Sequence, residues 1–323
     1  MKKALVTGGS GFIGSNLVEK LLKQNFKVLV YDIGNKNTKK NCMKLFANIN
    51  FVLICGDILH KNSIYYIMKS FCPDVVFHLA ANADVRYGFD RPLVDLNQNV
   101  IGTVNVLEAM RLLNIKKIVF SSTASVYGEV KTPIHELSQF PISSSTYADS
   151  KLAAEAFIQA YCEGYGFQSW IFRLVSILGK NYSHGHVIDF YNQLKLHPEY
   201  LEILGNGQQI KSYLDVEDCI NGIMIGYHNS NEKINIFNLG SDESITVFKS
   251  AKYITDSMNI NNCCFKTVGH ENKGWKGDVS KIILSSIKLK DLGWKPKHSI
   301  KEAVERTVSF LKENDNDNSA KSS

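Results

Sequence analysis

The sequence predicts an α/β fold in which helices cover both faces of a doubly wound parallel sheet, followed by a smaller C-terminal α/β lobe. In the first half of the chain, short apolar segments recur and helical patterns lie between them. The segments are continuously apolar rather than alternating, which is typical of strands buried on both faces of a parallel sheet. After Leu174 this rhythm stops and shorter, irregular segments begin.

The predicted strands of the first half are rich in Val, Ile, Leu and Phe. They cover residues 3–7, 27–32, 51–57, 74–81, 116–122 and 169–174. Between them, apolar residues recur at the spacing of amphipathic helices, as in the segments 17–22 and 100–113. We therefore assign residues 1–175 to a first domain.

The remaining chain is predicted to form mainly the smaller lobe, over residues 176–312. Glycines at 179, 185, 205 and 207 interrupt its pattern, as expected of binding loops. Two segments are expected to belong to the first domain instead: 235–240, a strand returning to the main sheet, and 213–228, which is a second candidate. Ser299 and Glu302 have capping-box spacing and open a terminal helix. The polar segment 313–323 is expected to be a disordered tail.

Composition excludes several classes of protein. Of the 323 residues, 44% are hydrophobic, and no apolar run approaches the roughly 18 residues of a membrane span. The net charge of +6 is spread along the chain, without a basic block interleaved with aromatic residues, so we expect no nucleic-acid partner. Seven Cys without metal-site spacing indicate reduced thiols, a cytoplasmic location and no metal site.

The first strand leads directly into a glycine-rich turn, TGGSGFIGS, that opens the first helix. Glycines permit a tight turn and close approach of a pyrophosphate, and the helix N-terminus supplies amide donors. Asp32 ends the second strand, where its carboxylate accepts from a ribose 2′-OH and repels a 2′-phosphate. The pattern predicts a Rossmann-type domain that binds NAD rather than NADP. The residues of this turn that we expect to bind NAD are Gly8, Gly11, Phe12, Ile13 and Gly14.

A second motif, YADSK, places Tyr147 and Lys151 on one face of a predicted helix. A Tyr hydroxyl has an ordinary pKa of about 10, so it is a poor base at neutral pH unless a cation stabilises the phenolate. Lys151 is predicted to be that cation, and an oxidised nicotinamide nearby would lower the pKa further. The strand end that precedes this motif carries hydroxyls from Ser121 to Thr123.

Together, the GxxGxxG turn, the hydroxyl-rich strand end and YxxxK resemble the extended short-chain dehydrogenase/reductase family, in its epimerase/dehydratase branch. The resemblance runs over nearly the whole chain. It implies a catalytic set of Thr123, Tyr147 and Lys151, of which Tyr147 and Lys151 also contact NAD. It also implies that Asn99 opens the fourth helix. The further NAD contacts that it implies are Asp57, Ile58, Leu79, Ala80, Ala81, Asn99 and Ser121.

The residues after Thr123 favour one reaction within that branch. In this branch, dehydratases and decarboxylases carry an acidic residue just after the position that Thr123 matches. This chain has Ala124 and Ser125 instead, and neither is a general acid or base at neutral pH. The stretch SSTASVYG is most similar to that of UDP-glucose 4-epimerases. We therefore expect an NAD-dependent 4-epimerase of a UDP-hexose, including N-acetyl and uronate forms. The alternatives are a nucleotide-sugar 4-reductase and a non-catalytic NAD-binding sensor.

The resemblance also indicates where the nucleotide sugar binds. Ser176 stands where the family has an Asn, and Lys211 where it has an Arg, while Lys273 or Lys276 occupies a second Arg-bearing loop. Lys binds phosphate as a point charge, and the choice among these lysines stays open. A homodimer is implied, formed through the helices near Asn99 and Tyr147. The expected substrate contacts are Arg86, Thr123, Ser125, Tyr147, Ser176, His186, Lys211, Lys273 and Lys276.

Overall fold

The computed structural model describes residues 1–34, 36–130, 132–138, 145–269, 271–274 and 278–320. Its strands begin and end as follows: β1 Lys3–Thr7, β2 Lys27–Asp32, β3 Phe51–Cys55, β4 Val75–His78, β5 Lys117–Thr123, β6 Gln168–Leu174, β7 Ser176–Leu178, β8 Tyr200–Leu204, β9 Ile210–Lys211, β10 Tyr213–Asp215, β11 Ile234–Leu239, β12 Ile245–Thr246 and β13 Cys264–Val268. Its helices are α1 Phe12–Lys23, α2 Lys36–Cys42, α3 Lys61–Phe71, α4 Val85–Asp90, α5 Pro92–Asp95, α6 Gly102–Leu112, α7 Thr146–Tyr165, α8 His186–Leu196, α9 Val216–Asn229, α10 Val247–Ser257, α11 Ile287–Asp291 and α12 Ile300–Ala320.

The predicted fold class is confirmed. Within the described residues, a seven-stranded sheet has the order β11-β6-β5-β4-β1-β2-β3, and every neighbouring pair is parallel. Chain order reverses between β1 and β4, which is the switch point where ligands bind in doubly wound sheets. One apolar core lies on each face of the sheet: one includes α1 and α9, and the other includes α3, α6 and α7.

The smaller lobe is built on short two-stranded sheets rather than on a continuation of the main sheet. The pairs are β7 with β10, β9 with β12 and β8 with β13. Its own apolar core joins α8, α10 and α12. No helix in the described part of the chain is both long enough and apolar enough to cross a bilayer.

Two segments that we assigned to the first domain behave differently. Strand β11 returns to the main sheet and pairs with β6 along its whole length, as predicted for 235–240. The segment 213–228 divides: β10 pairs with β7 outside the main sheet, whereas α9 packs Ile220 and Ile223 into the main-sheet core. The apolar face of α9 accounts for this placement, because it packs into the same core as α1 and the main sheet.

The expectation of a disordered tail at 313–323 is wrong for most of that segment, since α12 continues to Ala320. Composition suggested disorder because the segment is polar. The side chain of Asp315 nevertheless accepts hydrogen bonds from Tyr191 Oη at 2.7 Å and Lys195 Nζ at 2.6 Å, both on α8. This tertiary anchor stabilises helical turns that local sequence does not favour. Residues 321–323 lie outside the described residues.

Candidate active site

The glycine-rich turn joins β1 to α1 at the switch point of the sheet. Gly8 has a positive φ of 69°, and a Cβ there would lie 2.6 Å from the Ala80 amide nitrogen. A Cβ on Gly14 would lie 2.2 Å from the Gly8 carbonyl oxygen. The N-cap residue Gly11 supplies no side-chain cap, so the first-turn amides of α1, at Phe12 and Ile13, remain available to an anion. This cradle fits the pyrophosphate of a dinucleotide.

The carboxylate of Asp32 lies against the same turn. Its Oδ2 accepts a hydrogen bond from the Ser10 amide at 3.0 Å, and the residue is 8% exposed. Ser10 is held in turn by α2, since its hydroxyl is 3.0 Å from Thr38 Oγ1 and its carbonyl accepts from Asn41 Nδ2 at 2.8 Å. The carboxylate is therefore fixed beside the phosphate turn, where a ribose hydroxyl fits and a 2′-phosphate is repelled.

Two of the predicted NAD contacts, Asp57 and Ile58, follow β3. Asp57 Oδ1 accepts from the Leu59 amide at 2.9 Å, which shapes the turn after the strand. The side chain of Ile58 is buried in the core, at a spot where a Cβ on Gly102 would meet its Cδ1 at 2.4 Å. The Ile58 side chain therefore packs in the core, and the Ile58 backbone carbonyl accepts from Asn105 Nδ2 at 3.0 Å.

A buried hydrogen-bond chain, which the sequence did not predict, positions the end of β4. Thr103 Oγ1 donates to the Asn99 carbonyl at 2.6 Å, so it accepts from His78 Nε2 at 2.9 Å. His78 Nδ1 then accepts from Thr7 Oγ1 at 2.6 Å, and Thr7 Oγ1 accepts from the Ala80 amide at 3.4 Å. Burial lowers the pKa of His78 to about 3, with a smaller contribution from the charge of Lys151, so the imidazole is neutral. The chain holds the segment of Leu79, Ala80 and Ala81 beside the glycine turn.

Asn99 does not open a helix, contrary to the expectation. It lies inside a π-helical turn, Leu96–Ile101, of a continuous helical segment, and such turns are frequent at functional sites. Its Oδ1 accepts from the Asn82 amide at 2.8 Å and its Nδ2 donates to Ser150 Oγ at 2.8 Å. Ser150 Oγ donates to the Tyr147 carbonyl at 2.8 Å. Asn99 thus connects the loop after β4 to the helix that carries Tyr147.

The structure brings two of the predicted catalytic residues, Thr123 and Tyr147, together, and Lys151 lies one turn after Tyr147 on α7. Thr123 ends β5, and a hydrogen bond between its side chain and that of Tyr147 lowers the pKa of Tyr147. Lys151 is buried, with Nζ 4.1 Å from the centroid of the Phe120 ring and no hydrogen-bond partner among the described residues. An ammonium without a hydrogen-bond partner among the described residues, next to a dinucleotide site, is suited to donate to a hydroxyl of the cofactor ribose.

In this structure the pKa of Tyr147 lies above its ordinary value rather than below it. Burial dominates and raises the pKa of Tyr147 to about 12, and the Asp95 carboxylate adds to that rise. Burial also lowers the pKa of Lys151 to about 7, against an opposing contribution from Glu155. Both shifts favour the neutral forms, because the low-dielectric surroundings penalise either charge.

The two residues directly after Thr123, Ala124 and Ser125, are not acidic. Ala124 is buried and begins a single 3₁₀ turn, Ala124–Tyr127. The Ser125 amide donates to Thr123 Oγ1 at 3.2 Å, so this turn is capped by the Thr123 hydroxyl. Ser121 lies two residues earlier on the same strand, in register with Phe172 of β6.

Arg86 and His186, two of the predicted substrate residues, already have protein partners. Arg86 pairs with Asp189 of α8 at 2.6 Å and so bridges the two lobes. His186 Nε2 lies 2.8 Å from Ser250 Oγ, and its ring stacks on Tyr213 at 4.8 Å. Burial lowers the pKa of His186 to about 3, helped by the charge of Lys211, so it is a neutral, packed side chain. Ser176 is exposed at the start of β7.

The predicted phosphate-binding lysines are also paired. Lys211 Nζ lies 2.6 Å from Asp278 Oδ1 and donates to the Val279 carbonyl. Lys273 Nζ lies 2.9 Å from Glu129 Oε1. The positive charges of Lys211 and Lys273 are therefore balanced by Asp278 and Glu129, two acids that the sequence did not predict as part of the site. Lys276 lies outside the described residues.

A family model described as GDP-mannose 4,6 dehydratase matches residues 5–307 of the chain. The chain belongs to this family, which is a branch of the extended short-chain dehydrogenases/reductases. The UDP-glucose 4-epimerase of Halalkalibacterium halodurans is 31% identical, over 96% of this chain and 95% of that protein. The human dTDP-D-glucose 4,6-dehydratase is 27% identical, over 97% of this chain and 91% of that protein.

Among solved structures, the UDP-glucose 4-epimerase of Thermus thermophilus matches with a TM-score of 0.85 and 28% identity, over 96% of this chain and 99% of that one. That structure is a complex with NAD, and the prediction of NAD as the family's cofactor is confirmed. Relatives in the family are nucleotide-sugar epimerases and dehydratases. Family membership alone therefore leaves the reaction type open.

Several residues of the site gave no signal in the sequence. His78, Asn82 and Ser150 act through hydrogen bonds to partners that are distant in the chain, which spacing rules do not reveal. Asp278 was only weakly indicated by the sequence, since it follows the predicted phosphate-binding loop that carries Lys273 and Lys276. No sequence pattern that we used predicts the π-helical turn around Asn99.

Proposed function

We propose that this member of the family is an NAD-dependent nucleotide-sugar 4-epimerase that acts on a UDP-hexose such as UDP-glucose or UDP-galactose, or on an N-acetyl or uronate form. The observation that carries the proposal is the combination of Thr123, Tyr147 and Lys151 in one site with Ala124 and Ser125 where an eliminating enzyme needs an acid. Elimination of water requires a group that removes the C5 proton and one that protonates the leaving hydroxyl.

The residues of the site divide the proton chemistry among them. Tyr147 takes the proton of the sugar 4-OH, while Thr123 hydrogen-bonds the reacting oxygen. NAD, when bound, accepts the hydride from C4 and later returns it to the opposite face of the ring. Tyr147 then gives its proton back to the 4-oxygen, so the reaction is balanced without a further oxidant. Lys151 holds the cofactor ribose and supplies the positive charge that a phenolate needs.

The smaller lobe, mainly residues 176–312, is proposed to bind the nucleotide diphosphate. Lys211 and Lys273 are its candidate diphosphate contacts, and each currently faces an acid. A diphosphate carries more charge than one carboxylate, so it competes with Asp278 and Glu129 for these ammonium groups. Ser125, Ser176, His186 and Arg86 remain candidate contacts to the sugar or its phosphates. Lys276 stays a candidate on sequence grounds alone.

A homodimer is proposed through the helical face next to the active site. Large apolar side chains are exposed there on α5, the π-helical turn and α7, a pattern that favours a protein interface. The side chains concerned are Leu93, Leu96, Ile101, Phe157 and Tyr165. A cytoplasmic location is proposed from the seven free cysteines, which suit a reducing compartment.

The test is to incubate the purified protein, without added NAD, with UDP-glucose, UDP-N-acetylglucosamine or UDP-glucuronate and to identify products. We expect the C4 epimer of at least one. A dehydrated 4-keto product, or turnover only with added NADH, would replace the proposal by a dehydratase or a reductase. Tyr147→Phe is expected to abolish turnover while NAD remains bound. Tyr161→Phe is the matched control, because Tyr161 lies on the same helix but donates to Glu108, away from the site.

A further inference from the structure

Behind the catalytic strand end lies a buried ion pair that the proposed mechanism does not use. Arg173 Nη2 lies 2.7 Å from Glu155 Oε2, and the two side chains are 2% and 0% exposed. In addition, Arg173 Nε lies 3.1 Å from Oε1 and 3.2 Å from Oε2 of the same carboxylate. The pair is therefore a fully desolvated, forked contact, which is the geometry in which a guanidinium binds a carboxylate best.

The remaining polar atoms of the pair bind the elements that form the active site. Ser122, the residue before Thr123, donates to the Glu155 carboxylate. Arg173 lies beside Ser122 in the register of β5 and β6, and its Nη1 donates to Tyr127 Oη at 2.7 Å. Glu155 belongs to α7, the helix of Tyr147 and Lys151. One cluster thus joins the catalytic strand end, the turn after it and the catalytic helix.

Stability alone does not account for this arrangement. Moving two charges into a protein interior is unfavourable, and apolar residues of similar volume often replace a buried pair without loss of stability. The surroundings would accept such residues, because Arg173 lies on a strand whose other described residues are mostly buried and apolar. A buried carboxylate at Glu155 therefore points to a role for its charge.

The Glu155 carboxylate lies one helical turn beyond Lys151, so both side chains are on the same face of α7. Two other ionisable groups lie near this ammonium: Tyr147, one helical turn earlier on α7, and His78 on β4. His78 is neutral, as shown above. Glu155 is the group that raises the pKa of Lys151 against the large lowering effect of burial.

We propose that Glu155, held by Arg173 and Ser122, is a positioning residue for proton transfer: its buried carboxylate keeps the Lys151 ammonium charged and fixes Thr123 relative to Tyr147. This inference deepens the proposed function and rests on it, since it assigns Lys151 the task of supporting a phenolate. It adds a residue that touches neither substrate nor cofactor.

The expected effect follows from the sign of the charge. Without the carboxylate, Lys151 loses its proton at lower pH, so the alkaline limb of the pH–rate profile moves down by about one pH unit. The same change is measurable without catalysis. In the NAD-free protein, an amine reagent such as acetic anhydride labels only the neutral form, so labelling of Lys151 at pH 6 becomes about fivefold faster.

The variants are Glu155→Gln, which removes the charge and keeps the shape, and the double variant Glu155→Gln/Arg173→Gln, which leaves no buried charge unpaired. Glu108→Gln is the matched control, because Glu108 also accepts from an arginine, Arg111 at 2.8 Å, but on the outer surface of α6. Peptide mass spectrometry reads the labelling of Lys151 in each protein, and the pH profile is recorded with the best substrate.

A downward shift in both Glu155 variants, with the wild-type profile in Glu108→Gln, supports the proposal. If Glu155→Gln does not fold, the double variant decides. A folded double variant with wild-type labelling of Lys151 overturns the proposal, and one that cannot fold assigns the pair to folding and overturns it as well. The labelling result does not need turnover, so failure to find any epimerised substrate counts against the proposed function and not against this inference.

Discussion

The strongest pH-dependent prediction concerns His78, which is buried and neutral between Thr7 and Thr103. Replacing it by Gln keeps a donor for Thr103 but removes the acceptor for Thr7 and the titrating group. Burial lowers the pKa of His78 to about 3, from an ordinary value of 6.5. The unfolded chain therefore takes up a proton between these two values while the folded protein does not.

The sign and size of the effect follow from this difference. Because the pKa is lower in the folded state, the stability that the neutral imidazole contributes is complete above pH 6.5 and falls as the pH decreases toward 3. Each pH unit within that window is worth about 1.4 kcal/mol. From pH 7 to pH 5, the wild-type protein should lose about 2 kcal/mol of its free energy of unfolding through His78 alone.

The assay is urea unfolding of the NAD-free protein at pH 7 and at pH 5, followed by tryptophan fluorescence. Trp170 is a suitable reporter because it is buried in β6, in the main sheet. At pH 7, His78→Gln should be less stable by about 1 to 2 kcal/mol, because Thr7 loses its acceptor. Between pH 7 and pH 5 the variant should lose about 2 kcal/mol less than wild type, so the two proteins converge near pH 5.

Val76→Ala is the control, since it weakens the same strand without removing an ionisable group. It should be less stable than wild type by a similar amount at both pH values. If His78→Gln shows the same pH dependence as wild type and Val76→Ala, the imidazole does not resist protonation and the reasoning fails.

The other predictions concern cofactor, substrate and the C-terminal helix. Gly14→Ala should lose bound NAD, measured by absorbance after release, because its Cβ would lie 2.2 Å from the Gly8 carbonyl oxygen; Gly11→Ala, with 3.2 Å to the same oxygen, should retain more. If both variants keep NAD, the cradle is assigned wrongly. Lys211→Met should raise KM for the nucleotide sugar about tenfold with a smaller change in kcat, in steady-state assays. An unchanged KM would exclude Lys211 as a phosphate contact. Asp315→Asn should change the free energy of unfolding by less than about 1 kcal/mol, yet speed hydrogen exchange in the last turns of α12; unchanged exchange would contradict the anchor.

The parts of the fold that the sequence predicted well are those governed by local pattern. The strands β1 and β2 begin and end at the predicted residues, because continuous apolar runs end where turn residues begin. The return of β11 to the sheet was also predictable from a short apolar segment before Gly240. The proposed catalytic residues could be named from the sequence for the same reason, since motif spacing is a local property.

Long-range contacts explain what the sequence could not reveal. Thr7 and His78 are 71 residues apart, and their hydrogen bond exists only because β1 and β4 are neighbours in the sheet. The helix at 313–320 likewise depends on contacts with α8, so its polar composition was misleading. The pairing of β10 with β7 follows the same logic, because the second strand of a short sheet can come from anywhere in the chain.

The ionisation of the catalytic residues shows most clearly why motif reasoning needs the structure. From the motif alone, Lys151 was expected to lower the pKa of Tyr147, yet burial raises that pKa to about 12 and lowers the pKa of Lys151 to about 7. The buried site therefore opposes both charged forms that the proposed chemistry needs. The groups that act in the other direction are the Thr123 hydroxyl for Tyr147 and the Glu155 carboxylate for Lys151. Since Ser122 contacts Glu155 and is bonded to Thr123, a single strand end links both of these effects to the same geometry.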